Sequence, residues 1–172
     1  MTVLSGLIRL GTTKEMGMSD IIALRAIGSV IGGRGQASDD DWDKVEATIV
    51  LDPAQFGSEA TAGLGDFSHI EVVFHFDRVR DDEINTGARH PRGRRDWPLV
   101  GIFAQRGKAR PNRIGVTVCR LIAQDGLTLR VRGLDAIDGT PVLDIKPVMK
   151  GFLPRSEVRE PEWAKALMAG YW

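Results

Sequence analysis

Two apolar, β-branched runs, Arg113–Ala123 and Leu127–Leu134, flank the dipeptide Asp125-Gly126. Asp-Gly supplies the left-handed backbone angles of a two-residue turn, so this stretch predicts a β-hairpin. The same pattern recurs along the chain. Leu24–Ile31 and Val45–Leu51 read as strands, separated by a polar, acidic loop over Gly32–Asp43 and closed by Asp52-Pro53. His69–Phe76 is dense in β-branched and aromatic residues and reads as another strand. Leu99–Gln105 is a further apolar run, and a short strand, Val142–Ile145, follows the turn Asp138-Gly139-Thr140-Pro141. One helical pattern lies near the end, where Glu160-Pro161 starts it, W-A-K-A-L-M-A fills it and Gly170 stops it. Many short strands, strong turns and one short terminal helix predict an antiparallel, mainly β fold. Strands alternating with long helices are missing, which removes the βαβ route to a nucleotide.

A length of 172 residues favours one domain. Lys+Arg equals Asp+Glu, so any attraction to a polyanion must come from a local patch. The single cysteine, Cys119, sits in the run V-T-V-C and reads as a small buried hydrophobe in a reducing, cytoplasmic compartment. No run approaches the roughly 20 apolar residues of a membrane span. Leu4–Leu10, interrupted by Arg9, is too short for a signal peptide.

Several familiar chemistries fail on spacing. Gly28–Gly35 follows a strand but does not fit G-x-G-x-x-G, and neither a P-loop nor a G-x-S-x-G elbow occurs. His69, His75 and His90 with one cysteine do not make a zinc site. His69 and His75 share a strand face at roughly 20 Å, too far apart for one metal ion. No metal is expected.

Three segments carry a resemblance. They are Leu64-Gly65-Asp66-Phe67-Ser68-His69-Ile70; Val100-Gly101-Ile102-Phe103-Ala104-Gln105-Arg106 with Arg110-Pro111-Asn112-Arg113-Ile114-Gly115; and Gly133 to Pro147, G-L-D-A-I-D-G-T-P-V-L-D-I-K-P. In order and spacing they resemble the TrmO/TsaA-like (YaeB-like) family, over about Leu24–Pro147. The resemblance implies an antiparallel β-barrel with a short C-terminal helix, homodimerisation and S-adenosylmethionine as cofactor. It also implies N6-methylation of threonylcarbamoyl-adenosine beside the anticodon of a tRNA substrate. It divides the chain into an extension (1–23), the barrel (24–150) and a tail with the helix (151–172). The sequence departs from the family where S-P-F and then P-R-Q are usual. Ile31-Gly32-Gly33 and Arg34-Gly35-Gln36-Ala37 stand there, and Gln105 and Arg113 replace a usual Thr and Pro.

A methyl donor of this kind offers an adenine, a ribose diol and a zwitterionic tail. Carboxylates suit the diol and ammonium, and Arg or backbone N–H groups suit the carboxylate. On that chemistry the cofactor-binding candidates are Phe103, Arg106, Arg110, Pro111, Asn112, Ile114, Leu134, Asp135, Asp138, Gly139 and Thr140. Asp-Gly-Thr-Pro is equally plain turn chemistry. Asp135, Asp138 and His69, with Asp144, are the candidates to take a proton from the acceptor amine. His69 is equally a histidine packed in the barrel wall.

Between Arg78 and Arg113 ten Arg and Lys face four Asp and Glu, a local excess of six in a neutral chain. Within it Arg89, Arg92, Arg94 and Arg95, beside Trp97, are the candidate RNA contacts, with cations for phosphates and a ring for a splayed base. A solvated loop without a partner is the plainer reading. Two other functions remain open: a methyltransferase for another RNA or a small molecule, and a non-catalytic module that binds S-adenosylmethionine or RNA.

Overall fold

A computed structural model describes residues 22–172. All but the last two residues of the expected N-terminal extension lie outside the described residues. The strands are β1 (Gly28–Ile31), β2 (Glu46–Leu51), β3 (His69–His75), β4 (Ala88–Arg89), β5 (Val100–Gly101), β6 (Ile114–Asp125), β7 (Thr128–Arg132) and β8 (Pro141–Pro147). Six of them close a barrel in the order β1-β2-β7-β6-β3-β8, and β4 pairs with β5 apart from it. Every pairing is antiparallel. Strand alternation decides which residues fill the barrel. From β3, Ile70, Val72 and Phe74 point inward. They meet Val30, Ile49, Leu129, Val131, Cys119 and Val142, all almost without solvent contact. Fully burying each such aliphatic side chain is worth about 1.5–3 kcal/mol.

The hairpin at Asp125-Gly126 joins β6 to β7 as expected, with Gly126 at φ 52°. Gly115 has a packing reason: a Cβ there would lie 2.4 Å from the Phe74 ring. The first strand is shorter than its apolar run, because β8 meets β1 only at Gly28 and Ser29, and Leu24 is left exposed. The run Leu99–Gln105 yields only β5 and a 3-10 turn over Ile102–Ala104. Gln105 is buried there, its side-chain amide donating to the carbonyls of Arg89 and Val100, which ties β4 to β5. The terminal helix, α1 (Glu162–Met168), begins one residue after Pro161, which takes the N-cap position rather than the first turn.

Two ends of the barrel follow from this register. One, called the rim below, gathers the ends of β1, β3 and β7 and the starts of β2, β6 and β8. β7 reaches β6 only from Arg120 onward. Ile114–Cys119 therefore has β3 on one side and no strand on the other among the described residues. Arg106 fills part of that gap, its Nη2 donating to the Val116 carbonyl at 2.5 Å.

Candidate functional site

The turn between β7 and β8 sits at the rim and is tied to the loop after β1. Asp138 accepts the Gly32 N–H on Oδ1 at 2.7 Å, and its own N–H donates to the Arg34 carbonyl at 2.8 Å. Gly139, at φ 85°, donates its N–H to Val30, and Val30 donates in turn to the Thr140 carbonyl. A non-glycine residue is uncommon at such an angle, which accounts for the glycine. The Gly139 N–H and the Thr140 carbonyl are thus committed to β1, and Thr140 is buried. Leu134 is fully buried beneath the turn and supports it from the core. Asp138 is exposed, and no hydrogen bond to its Oδ2 forms among the described residues.

Asp135 lies deeper and is half-buried. The Thr117 hydroxyl, from β6, donates to its Oδ1, and the Tyr171 hydroxyl donates to its Oδ2 at 2.5 Å. Burial first, and then the Asp135 charge, push the Tyr171 phenol well above its ordinary range. The same two causes push the Cys119 thiol up to about 12. Tyr171 reaches Asp135 because the chain after α1 returns to the rim: Asp41 and Trp42 donate their N–H groups to the carbonyls of Gly170 and Tyr171, both at 2.9 Å. The Arg34 guanidinium stacks on buried Trp42 at 4.4 Å. It also donates to Ser38 and to the carbonyls of Asp40 and Asp41, and so shapes the loop from within. Arg78 bridges loop and turn, donating to the Gly35 carbonyl at 3.1 Å and the Asp138 carbonyl at 2.8 Å.

Arg106 joins this group through Val116, next to Thr117, and its charge acts on Tyr171. Arg110 donates to the Gln105 carbonyl at 3.1 Å. Beyond Pro111 the chain holds two consecutive non-glycine residues at positive φ, Asn112 at 62° and Arg113 at 52°. Asn tolerates that region, but Arg there is uncommon and carries strain. The Arg113 side chain is anchored on the Val79 carbonyl at 2.7 Å and on Asp81 at 3.0 Å. The Arg113 carbonyl accepts the Phe76 N–H, which places the start of β6, at Ile114, beside the end of β3. Phe103, on the 3-10 turn after β5, is 79% exposed.

The rim therefore brings together Asp135, Asp138, Gly139, Thr140 and Arg106, with the Arg110–Ile114 segment on the same end. His69 is not among them. It starts β3 at the opposite end, beside Val148, with its Nδ1 within 2.9 Å of the Ser68 hydroxyl. Asp144 also points elsewhere. It is ion-paired with Lys146 and lines an apolar cavity of about 440 Å³ with Leu51, Phe56, Leu64 and Ile145. An apolar cavity is the usual first place to look for a ligand. This one gathers Asp144 as its single charged group, whereas the rim carries carboxylates, arginines and backbone strain.

The basic loop is largely occupied with itself. Arg92 pairs with Asp40 at 2.6 Å, and Arg94 pairs with Asp96 while stacking on Trp97 at 4.3 Å. Trp97 is buried, so it forms part of the packing rather than an open platform. Arg80 pairs with Asp82, and Arg89 is half-buried with its Nε out of solvent and without a partner. Arg95 is exposed and makes no ion pair among the described residues. Trp42, Arg34, Arg78, Thr117 and Tyr171 are rim residues that sequence reasoning missed. No local pattern marks them, since their partners lie 18 to more than 100 residues away or, for Arg34, within an irregular loop.

This architecture defines a class of protein in which loops at one end of a closed antiparallel barrel, not the turns of a βαβ sheet, assemble the polar site. Within it, the chain belongs to the tRNA-methyltransferase O N-terminal domain family, whose model matches residues 37–152. A Pyrococcus abyssi protein named "Probable S-adenosyl-L-methionine-binding protein" is 38% identical over 115 residues, covering 67% of this chain and 59% of that one. The human tRNA (adenine(37)-N6)-methyltransferase is 35% identical over 99 residues, 58% of this chain and 22% of the human one. A crystal structure of TrmO from Pseudomonas aeruginosa superposes with a TM-score of 0.69 at 26% identity, covering 86% of this chain and 63% of that chain. The chain thus spans about three-fifths of the archaeal relative and about a fifth of the human one.

Proposed function

We propose that this protein is an S-adenosylmethionine-dependent methyltransferase acting on tRNA, at the exocyclic nitrogen of threonylcarbamoyl-adenosine beside the anticodon. The observation that carries the reading is the convergence of Asp135, Asp138 and Arg106 at one rim, inside the stretch matched by the family. The relatives' names supply the class of donor and of acceptor.

The rim's own groups suit such a donor. Asp138 keeps Oδ2 for a hydroxyl or an ammonium, while Gly32 and Arg78 hold its turn in place. Asp135, fixed in plane by Thr117 and Tyr171, adds a second negative charge. Arg106 and Arg110 offer the cations that a carboxylate needs. When bound, the donor supplies an electrophilic methyl group on a positively charged sulfur. The chain's task is then mainly positioning, since an in-line transfer needs donor carbon and acceptor nitrogen held about 3 Å apart. The acceptor amine must also lose a proton. With Asp138 Oδ2 on the donor and both Asp135 oxygens already accepting hydroxyl donors, that proton leaves to solvent. His69 and Asp144 take no part in this reading, because they lie away from the rim.

The family resemblance adds a homodimer in the cytoplasm. The exposed apolar residues Met149, Phe152 and Leu153 supply surface for a second copy. Sedimentation velocity tests it, and a single monomeric species at micromolar concentration would refute it.

The decisive experiment incubates the protein with the donor and undermethylated tRNA, then digests the tRNA and weighs its nucleosides. A gain of one methyl on threonylcarbamoyl-adenosine is expected. Methylation of another nucleoside only would replace the acceptor while keeping the chemistry. No methylation, together with no donor binding by calorimetry, would defeat the reading.

A further inference from the structure

We propose that the outer barrel wall formed by Arg120, Arg130 and Arg132 is the surface along which RNA phosphates run to the rim. Arg120 of β6 and Arg132 of β7 are register partners. Partners in an antiparallel pair point to the same face with Cβ atoms about 4.5–5.5 Å apart, and like charges so placed oppose folding. Arg130 lies two residues before Arg132, hence on the same face of β7. The inward neighbours Leu129, Val131, Cys119 and Leu121 are buried, which sets the three arginines outward.

Their register neighbours leave the three with a net positive charge, Glu46 being the one carboxylate in register with them. On the β2 side, Thr48 stands beside Arg130 and Glu46 beside Arg132. On the β3 side, His69 stands beside Arg120. No carboxylate among the described residues comes within ion-pair distance of the three, Glu46 included. This is the opposite of the Arg89–Arg95 loop, where Arg92 and Arg94 are paired to aspartates. A net positive wall without an ion pair among the described residues fits a polyanion that arrives from outside.

Direction supports the same partner. β7 runs through Arg130 and Arg132 into Gly133 and Leu134 and reaches Asp135 three residues later. Three residues span at most about 11 Å. Phosphates held on the wall therefore approach the carboxylates of the rim. The partner is an RNA backbone, read without base contacts, so the wall contributes affinity and orientation while the rim selects the base.

The proposal rests on the tRNA reading above, and its test separates the two. Binding of total tRNA is measured by fluorescence anisotropy across salt concentrations for the wild type, the double variant Arg120→Ala with Arg132→Ala, and the double variant with Lys at both positions. The alanine variant is expected to bind roughly tenfold or more weaker at 0.1 M salt, with a log–log salt slope shallower by about two. The lysine variant restores most of the affinity, since the charge is retained. Donor binding by calorimetry stays as in the wild type, and the melting temperature is unchanged or higher, because opposed charges have been removed. Unchanged tRNA affinity and slope in the alanine variant overturn the proposal, even if the wild type methylates tRNA normally. So does a variant whose oligomeric state changes while its tRNA binding does not, which would assign the wall to a second copy of the chain. A wild type that binds tRNA through these arginines yet methylates none of it would sustain the wall and defeat the catalytic reading.

Discussion

Replacing Tyr171 by Phe removes one of the two hydroxyls on Asp135 and nothing else. A hydrogen bond to a charged group is worth about 1.5–3 kcal/mol. Asp135 is half-buried, and water is able to reach the vacated oxygen, so the loss falls at or below the lower end of that range, about 1–1.5 kcal/mol. For a chain of this size that corresponds to a melting temperature lower by roughly 2–6 °C. Thr117 is buried, so Thr117→Val is expected to cost more, about 2–3 kcal/mol. The double variant leaves the carboxylate without either donor and is expected to exceed the sum of the single losses. Alkaline pH supplies an independent readout. The folded-state pKa of Tyr171 lies above its ordinary value of about 10. Its contribution to stability is therefore complete below pH 10 and is lost as pH rises through the folded pKa. Urea titrations between pH 9 and 11 should show the wild type losing stability faster than Tyr171→Phe. Equal midpoints at pH 7 together with parallel slopes above pH 10 would refute the whole account of Tyr171.

Gly115→Ala is expected to destabilise by about 1–3 kcal/mol, since its methyl meets the Phe74 ring in the core; chemical denaturation with an unchanged midpoint would contradict this. Cys119, buried and with its thiol pushed up to about 12, should resist iodoacetamide at pH 8 in the folded protein and react fully in urea, as read by intact mass. Rapid alkylation of the native protein would mean that the barrel opens. Asp138→Ala removes the acceptor for Gly32 N–H and the open oxygen of the rim; donor affinity by calorimetry should fall at least tenfold, whereas Asp144→Ala should leave it within twofold.

The barrel was legible because its signals are local. Alternation in His69–His75, the Asp125-Gly126 turn and the Thr-Pro turn before β8 each specify geometry within a few residues, and the register then follows from burying one face. The segments that carry Asp135, Asp138 and Arg106 to the rim were legible as patterns. What joins them was not. Tyr171 reaches Asp135 across 36 residues, and Arg78 reaches Asp138 across 60; neither spacing leaves a trace in the sequence. The charge balance of the basic loop was only partly legible, for a related reason. Counting charges between Arg78 and Arg113 omitted Asp40, which lies 52 residues from Arg92 and neutralises it. His69 lies at the opposite end of β3, six positions from the rim-side residue His75, a separation that strand length alone sets.

The unequal lengths of β6 and β7 have one more consequence. A strand flank left without a neighbour, as that of Ile114–Cys119 is among the described residues, invites another chain to add itself there, and proteins commonly guard such flanks with a charged side chain. Arg106 stands as that guard, with its guanidinium clasping Val116. Swapping it for a short neutral residue would then promote self-association through β6, a liability of solubility distinct from any loss of chemistry.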